Sequence, residues 1–249
     1  MAHAMIDLGQ GFWNIRGAFR IGGLIDVGTH CSLLQLDTDR FIFLDSYELS
    51  GEVREQVMAL TRQGQAVEAI LNLHPFHTLH CEAMARDFPQ ATLYGSARHQ
   101  QQLSQLPWSP DRVESDAVAA RYPELEFSIT QGIEYISAKP GVHAGSLLAY
   151  HPASKSLHVD DTFAAPPQGG LLEKFLPEIF ISPATRWALK PEANAAAIYC
   201  DWVTHLANQW QDTQNFCAAH SDLVQFKAGE FKPALLAALE RARPKLLSN

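Results

Sequence analysis

Three histidines, His74, His77 and His80, fall within seven residues directly after the run Ala69-Ile70-Leu71-Asn72-Leu73. A short, mostly apolar run suits a buried strand. A polar cluster at its end then sits on a strand-to-helix loop, where a rigid strand can hold functional side chains. That arrangement constrains the chain to an α/β architecture in which strands deliver side chains to one loop region.

The flanking segments fit this reading. Phe12–Ile15, Ser32–Leu36 and Arg40–Leu44 read as strands, the last two joined by an Asp37-Thr38-Asp39 turn. Ser50 is expected to cap a helix whose apolar stripe is Val53, Val57 and Leu60. Beyond the histidines, Cys81 to Phe88 reads as a helix that stops at Pro89, Ala91–Tyr94 as a strand, and a further helix begins near Ala97. Glu126–Ile129 and Gly132–Ile136 read as strands, and Leu147–Tyr150 with Ser156–Val159 as a hairpin that ends at Asp160-Asp161. From Ala164 to about Pro191 a long proline- and glycine-containing segment is expected to border a binding site, with a helical turn over Leu171 to Leu176. Glu192 to Trp210 is expected to be helical with Ile198, Trp202 and Leu206 inward, Asn215 to Ala219 a strand ending in His220, and Pro233 to Ala242 a last helix. No repeat or linker divides the 249 residues, so one domain spanning 1–249 is expected.

Composition narrows the partners. A net charge of −8 with no Lys/Arg cluster argues against nucleic acid. No apolar run approaches the roughly 20 residues of a membrane span, and the amino terminus lacks a secretory pattern, so a cytoplasmic protein acting on a small molecule is expected. The four cysteines, Cys31, Cys81, Cys200 and Cys217, lie far apart and read as buried free thiols. Leu235, Leu236 and Leu239 leave open whether the last helix covers the core or makes a homodimer.

Neutral imidazoles gathered with a carboxylate on strand-held loops are the means of binding a divalent ion. Four loops offer such groups: His74/His77/His80, His143, Asp160/Asp161, and His220. His77 and His80 stand three residues apart at a helix start, so both rings can leave one face, and the helix dipole disfavours protonating them. His74 precedes Pro75, which favours an extended backbone, so its ring is expected to point elsewhere. His30, His99 and His205 read as surface or satisfied residues, and His151 and His158 as structural parts of the hairpin. Phe12, Trp13, Trp202 and Trp210 read as core or rim aromatics.

The order of these segments resembles the metallo-β-lactamase-like hydrolases over roughly residues 25 to 225. Gly141-Val142-His143-Ala144-Gly145-Ser146-Leu147 is similar to the family's GHTPGSL segment, Asp160-Asp161-Thr162-Phe163 to GDTLF, and Cys217–Ser221 to the terminal PGHG. His77 and His80 fall on the later histidines of the HxHxDH motif. Pro75 and Leu79 replace its first histidine and its aspartate, and His143 stands one residue after the usual position.

The resemblance implies a four-layer αββα sandwich of two mixed β-sheets flanked by helices. It implies metal ligands His77, His80, His143, Asp161 and His220, with Asp161 as the catalytic carboxylate. It further implies one divalent ion, zinc first, with iron or manganese as alternatives and no standard second site. The function it implies is a hydrolase of a small ester, thioester or lactone that uses metal-bound hydroxide. Pro75 and Leu79 keep two other readings open: a mononuclear iron or zinc redox or sensory protein, and a member that has lost catalysis.

Overall fold

The computed structural model describes residues 3–21, 25–139, 141–166, 176–220 and 222–248. They divide into two compact units, Met1–Glu126 with His151–Ser154, and Phe127–Tyr150 with Lys155–Asn249. In chain order the first holds β1 (Ala4–Asp7), β2 (Phe12–Gly17), β3 (Arg20–Ile21), β4 (Ile25–Asp26), β5 (Thr29–Gln35), β6 (Phe41–Leu44), α1 (Gly51–Leu60), β7 (Val67–Leu71), α2 (Cys81–Asp87), β8 (Thr92–Tyr94), α3 (Ala97–Gln102) and α4 (Asp116–Arg121). Its main sheet runs β1-β2-β5-β6-β7-β8. The first four strands pair antiparallel, and β6, β7 and β8 pair parallel.

That mixture follows from the connections. A tight turn over Asp37–Asp39, with Asp39 at φ +58, returns β5 antiparallel into β6. The parallel neighbours need the longer crossovers that α1 and α2 supply. Leu33, Phe43, Ile70 and Leu93 face one another strand by strand. This row packs with Val53, Val57 and Met58 of α1 and Met84 of α2. Burial of each such side chain contributes roughly 1.5–3 kcal/mol. Ser50 stands at the start of α1, but its side chain makes no capping hydrogen bond. The stripe also turns by one position from the expected one: Met58 is buried, while Leu60 is 40% exposed.

The second unit holds β9 (Glu126–Ile129), β10 (Leu147–His151), β11 (Ser156–Val159), β12 (Phe163–Ala164), β13 (Phe180–Ile181), α5 (Thr185–Ala188), α6 (Ala195–Gln209), β14 (Asn215–Ala218), β15 (Val224–Gln225) and α7 (Phe231–Leu247). Its sheet runs β15-β14-β11-β10-β9, with β11 parallel to β14 and β14 antiparallel to β15. Alternate residues, Leu148 and Tyr150, Leu157 and Val159, Phe216 and Ala218, share a core with Tyr199, Val203 and Leu206 of α6 and Leu235 and Leu239 of α7. The last helix therefore covers this core and runs well beyond Pro233–Ala242. In α6, Tyr199 is the buried partner of Trp202, whereas Ile198 faces outward.

Gly132–Ile136 is not a strand. Gly132 has φ +72, and the segment makes a single bridge, Ile133 to Leu189, closed by Glu134 N–H to Ala188 O (2.8 Å) and Lys190 N–H to Gly132 O (3.1 Å). The helical turn expected over Leu171 to Leu176 lies, but for Leu176, outside the described residues, as does Ser221. Among the described residues no helix is long and apolar enough to cross a membrane.

Candidate metal centre

The second unit gathers three of the expected ligands. His143, Asp161 and His220 line one cleft of about 350 Å³ together with Asp160, Phe163 and Phe180. Each donor comes from a different segment: His143 from the stretch before β10, Asp161 from the end of β11, and His220 from the end of β14. His220 Nε2 lies 3.1 Å from Asp161 Oδ1. β11 and β14 pair in parallel, with Val159 opposite Ala218, so the residues two beyond each strand end emerge side by side.

The one-residue offset of His143 is absorbed locally. Val142 packs against the core of this unit, and His143 turns to the cleft. Gly141, at φ +84, precedes them in a turn closed by Val142 N–H to Lys139 O (3.2 Å). Two buried hydroxyls then tie this segment to the Asp161 loop. Thr162 Oγ1 donates to Ala144 O (2.9 Å), which leaves Ser146 Oγ to donate to Thr162 Oγ1 (2.7 Å). Asp160 is buried beside Asp161, and one of its carboxylate oxygens lies within 4.8 Å of a ring nitrogen of His158. His158 and Asp160 are two apart along the end of a strand and so share a face.

The histidine loop belongs to the first unit. It follows β7 as expected, but α2 starts only at Cys81, with His80 at its N-cap and His77 in the preceding turn. The rings of His77 and His80 are therefore not a matched pair on a helix face. His77 associates instead with His74, their ring centroids 4.1 Å apart and a nitrogen of each within 4.8 Å of the other. His74 Nδ1 accepts from Phe76 N–H (3.2 Å), which leaves Nε2 as its remaining nitrogen for a ligand. His80 packs edge-on to Tyr47 at 5.2 Å; its Nε2 is shielded from solvent and has no hydrogen-bond partner among the described residues. Burial, opposed by Glu48, holds its pKa below the ordinary range, so the neutral form that binds metals is favoured.

The loop is braced by polar residues that sequence reading passed over. Asp45, at φ +62 after β6, accepts from Leu73 N–H (2.8 Å) and His74 N–H (3.5 Å). Asn72 donates to Tyr94 O (3.1 Å) and accepts from Ser46 Oγ (2.7 Å). The only signal in the sequence was a polar residue inside or just after an apolar strand.

His99 is a structural histidine, as expected. Its Nδ1 accepts from Ser96 N–H (3.1 Å), so its Nε2 carries the proton and reaches His77 O (3.4 Å). Burial, opposed by Asp45, pulls its pKa from 6.5 down to about 4. The unfolded chain then takes up this proton first as pH falls, so the contribution is whole above pH 6.5 and is lost between 6.5 and 4. The loss is expected to reach about 3 kcal/mol. Denaturant unfolding at pH 7 and pH 4 should show the difference shrinking by about that amount in His99→Gln.

Two imidazoles and two carboxylates in one cleft are the nitrogen and oxygen donors that zinc and related divalent ions take, so the residues present fit such an ion. No protein-family model matches the sequence, and no curated protein matches it. Among solved structures the chain is similar to a metallo-β-lactamase from Pseudomonas aeruginosa in its mono-zinc form, at 12% identity over 98% of this chain and 97% of that one, with a TM-score of 0.60. It is also similar to a metallo-β-lactamase from Erythrobacter litoralis with β-mercaptoethanol in the active site, at 13% identity over 95% and 96%, TM-score 0.62. A third, from Pontibacter korlensis, has 11% identity over 96% and 99%, TM-score 0.61. Likeness at this level of identity is one of fold, over nearly the whole length.

Proposed function

We propose that this chain, which carries the metallo-β-lactamase fold, is a metal-dependent hydrolase of a small ester, thioester or lactone. The observation that carries the reading is the convergence of His143, Asp161 and His220, from three separate segments, on one cleft. Zinc is the proposed ion, because two imidazoles with a carboxylate suit it and leave a position open. A divalent ion held there would supply a Lewis acid that polarises a carbonyl and eases the deprotonation of water.

The remaining work falls to side chains. Asp161 is the carboxylate placed to accept a proton from an attacking water, and His220, 3.1 Å away, fixes its orientation. Phe163 and Phe180 wall the cleft with apolar surface that limits bulk water around the reacting carbonyl. The resemblance adds His77 and His80 as ligands, and that assignment is part of the proposal. Pro75 and Leu79, the second of them 68% exposed, offer no donor atoms, which favours one ion over two.

The test is elemental analysis of protein purified without chelator or added metal, with turnover of aryl ester, thioester and lactone probes before and after chelation. About one ion per chain and chelator-sensitive turnover restored by zinc are expected. Bound metal without turnover would favour the redox or sensory reading, and a chain without metal would sink the metalloenzyme.

A further inference from the structure

A second cleft, of about 290 Å³, lies beside the first in the same unit, and the two share Ser182 and Pro183 in their walls. Its chemistry differs. Ile181 and Leu246 give it an apolar floor, while Arg186, Trp187 and Lys245 stand at its margin. The Arg186 guanidinium lies over the Trp187 ring, 4.6 Å from the centroid, and Lys139 Nζ donates to Trp187 O (3.0 Å). The indole is half exposed. Among the described residues neither Arg186 nor Lys245 is paired with a carboxylate. On a chain with 27 acidic against 19 basic residues, this groove sets two side-chain cations around a half-exposed tryptophan.

We infer that this groove is a subsite for the far end of the substrate, a flat ring carrying a phosphate or carboxylate. The inference rests on the proposed hydrolase: a molecule whose scissile carbonyl occupies the histidine–aspartate cleft reaches the groove by crossing Ser182 and Pro183. Each feature matches one part of such a ligand. The indole offers a stacking face for the ring, the planar guanidinium offers paired donors to an oxyanion, and Lys245 adds a mobile charge. The apolar floor excludes water from the ring's edge. A neutral aliphatic substrate would use the floor but neither the indole face nor the two cations.

Calorimetric titration of the purified chain tests this without turnover. The probes are adenosine 5′-monophosphate and 2-naphthoate, with adenosine and 2-acetonaphthone as neutral counterparts. At least one anionic probe is expected to bind about tenfold more tightly than its neutral counterpart, and its Kd to rise about tenfold in Arg186→Gln/Lys245→Gln. Trp187→Ala should weaken it about fivefold, and Trp187→Phe should restore most of the loss. Which anion binds distinguishes a phosphate from a carboxylate source. Failure of both anionic probes, equal binding of the neutral counterparts, or binding indifferent to the Arg186/Lys245 substitution would overturn the inference. A chain that binds the probes but holds no metal would keep the groove and discard the hydrolase; a chain that hydrolyses esters but ignores the probes would do the reverse.

Discussion

Replacing His220 with alanine is expected to reduce bound metal from about one ion per chain to less than about a tenth, and chelator-sensitive hydrolysis by at least about 100-fold. The substitution removes one imidazole from the cleft and leaves Asp161 Oδ1 without the nitrogen now 3.1 Å away. One loss acts on the ion and the other on the carboxylate beside it, so the effect should exceed that of removing a bystander histidine. His205, exposed on α6, is the control, and His205→Ala should keep its metal. Elemental analysis of both variants and of His80→Ala reads the outcome. Retention of metal in His220→Ala would remove the cleft from the proposal, and loss in His80→Ala would add the first unit's loop to the ligand set.

A second large effect concerns the backbone packed against α6 in the same unit. Gly132→Ala is expected to cost about 3–4 kcal/mol, read as a shift in the denaturant midpoint. At φ +72 an alanine there pays left-handed strain, and its Cβ would lie 2.3 Å from Ala195 O and 2.6 Å from Tyr199 N. Those are backbone atoms of α6, which cannot swing aside as a side chain can. Gly51, at φ +54 with nothing within 4 Å of a Cβ, separates the two causes. Gly51→Ala should cost only about 1 kcal/mol. Equal costs at both positions would mean that the α6 contact yields easily.

Local pattern made much of this architecture legible. β7 and the loop after it could be read because an apolar run and a cluster of imidazoles are both contiguous, and the hairpin to Asp161 could be read because its turn chemistry is local. The same holds for His220 at the end of β14. Features that depend on distant partners could not be read. Gly132–Ile136 has the composition of a strand, but its partner is Leu189, in a segment more than fifty residues on. Asp45 and Ser46 brace residues 26 to 29 positions away, and nothing near them in the chain announces it. Trp187 and Arg186 fall in the long segment already expected to border a site, yet a stretch without periodicity does not say which of its side chains meet Lys245.

The two hydroxyls that fasten Ser146 to Thr162 and Thr162 to Ala144 bear on how the cleft binds anything. Because they knot the segments carrying His143 and Asp161 into one piece, the entropy lost in assembling those donors is surrendered when the chain folds rather than when a guest arrives. Affinity at the cleft is thereby preorganised, and a guest that binds only the assembled donors returns its binding free energy to the folded state as added stability.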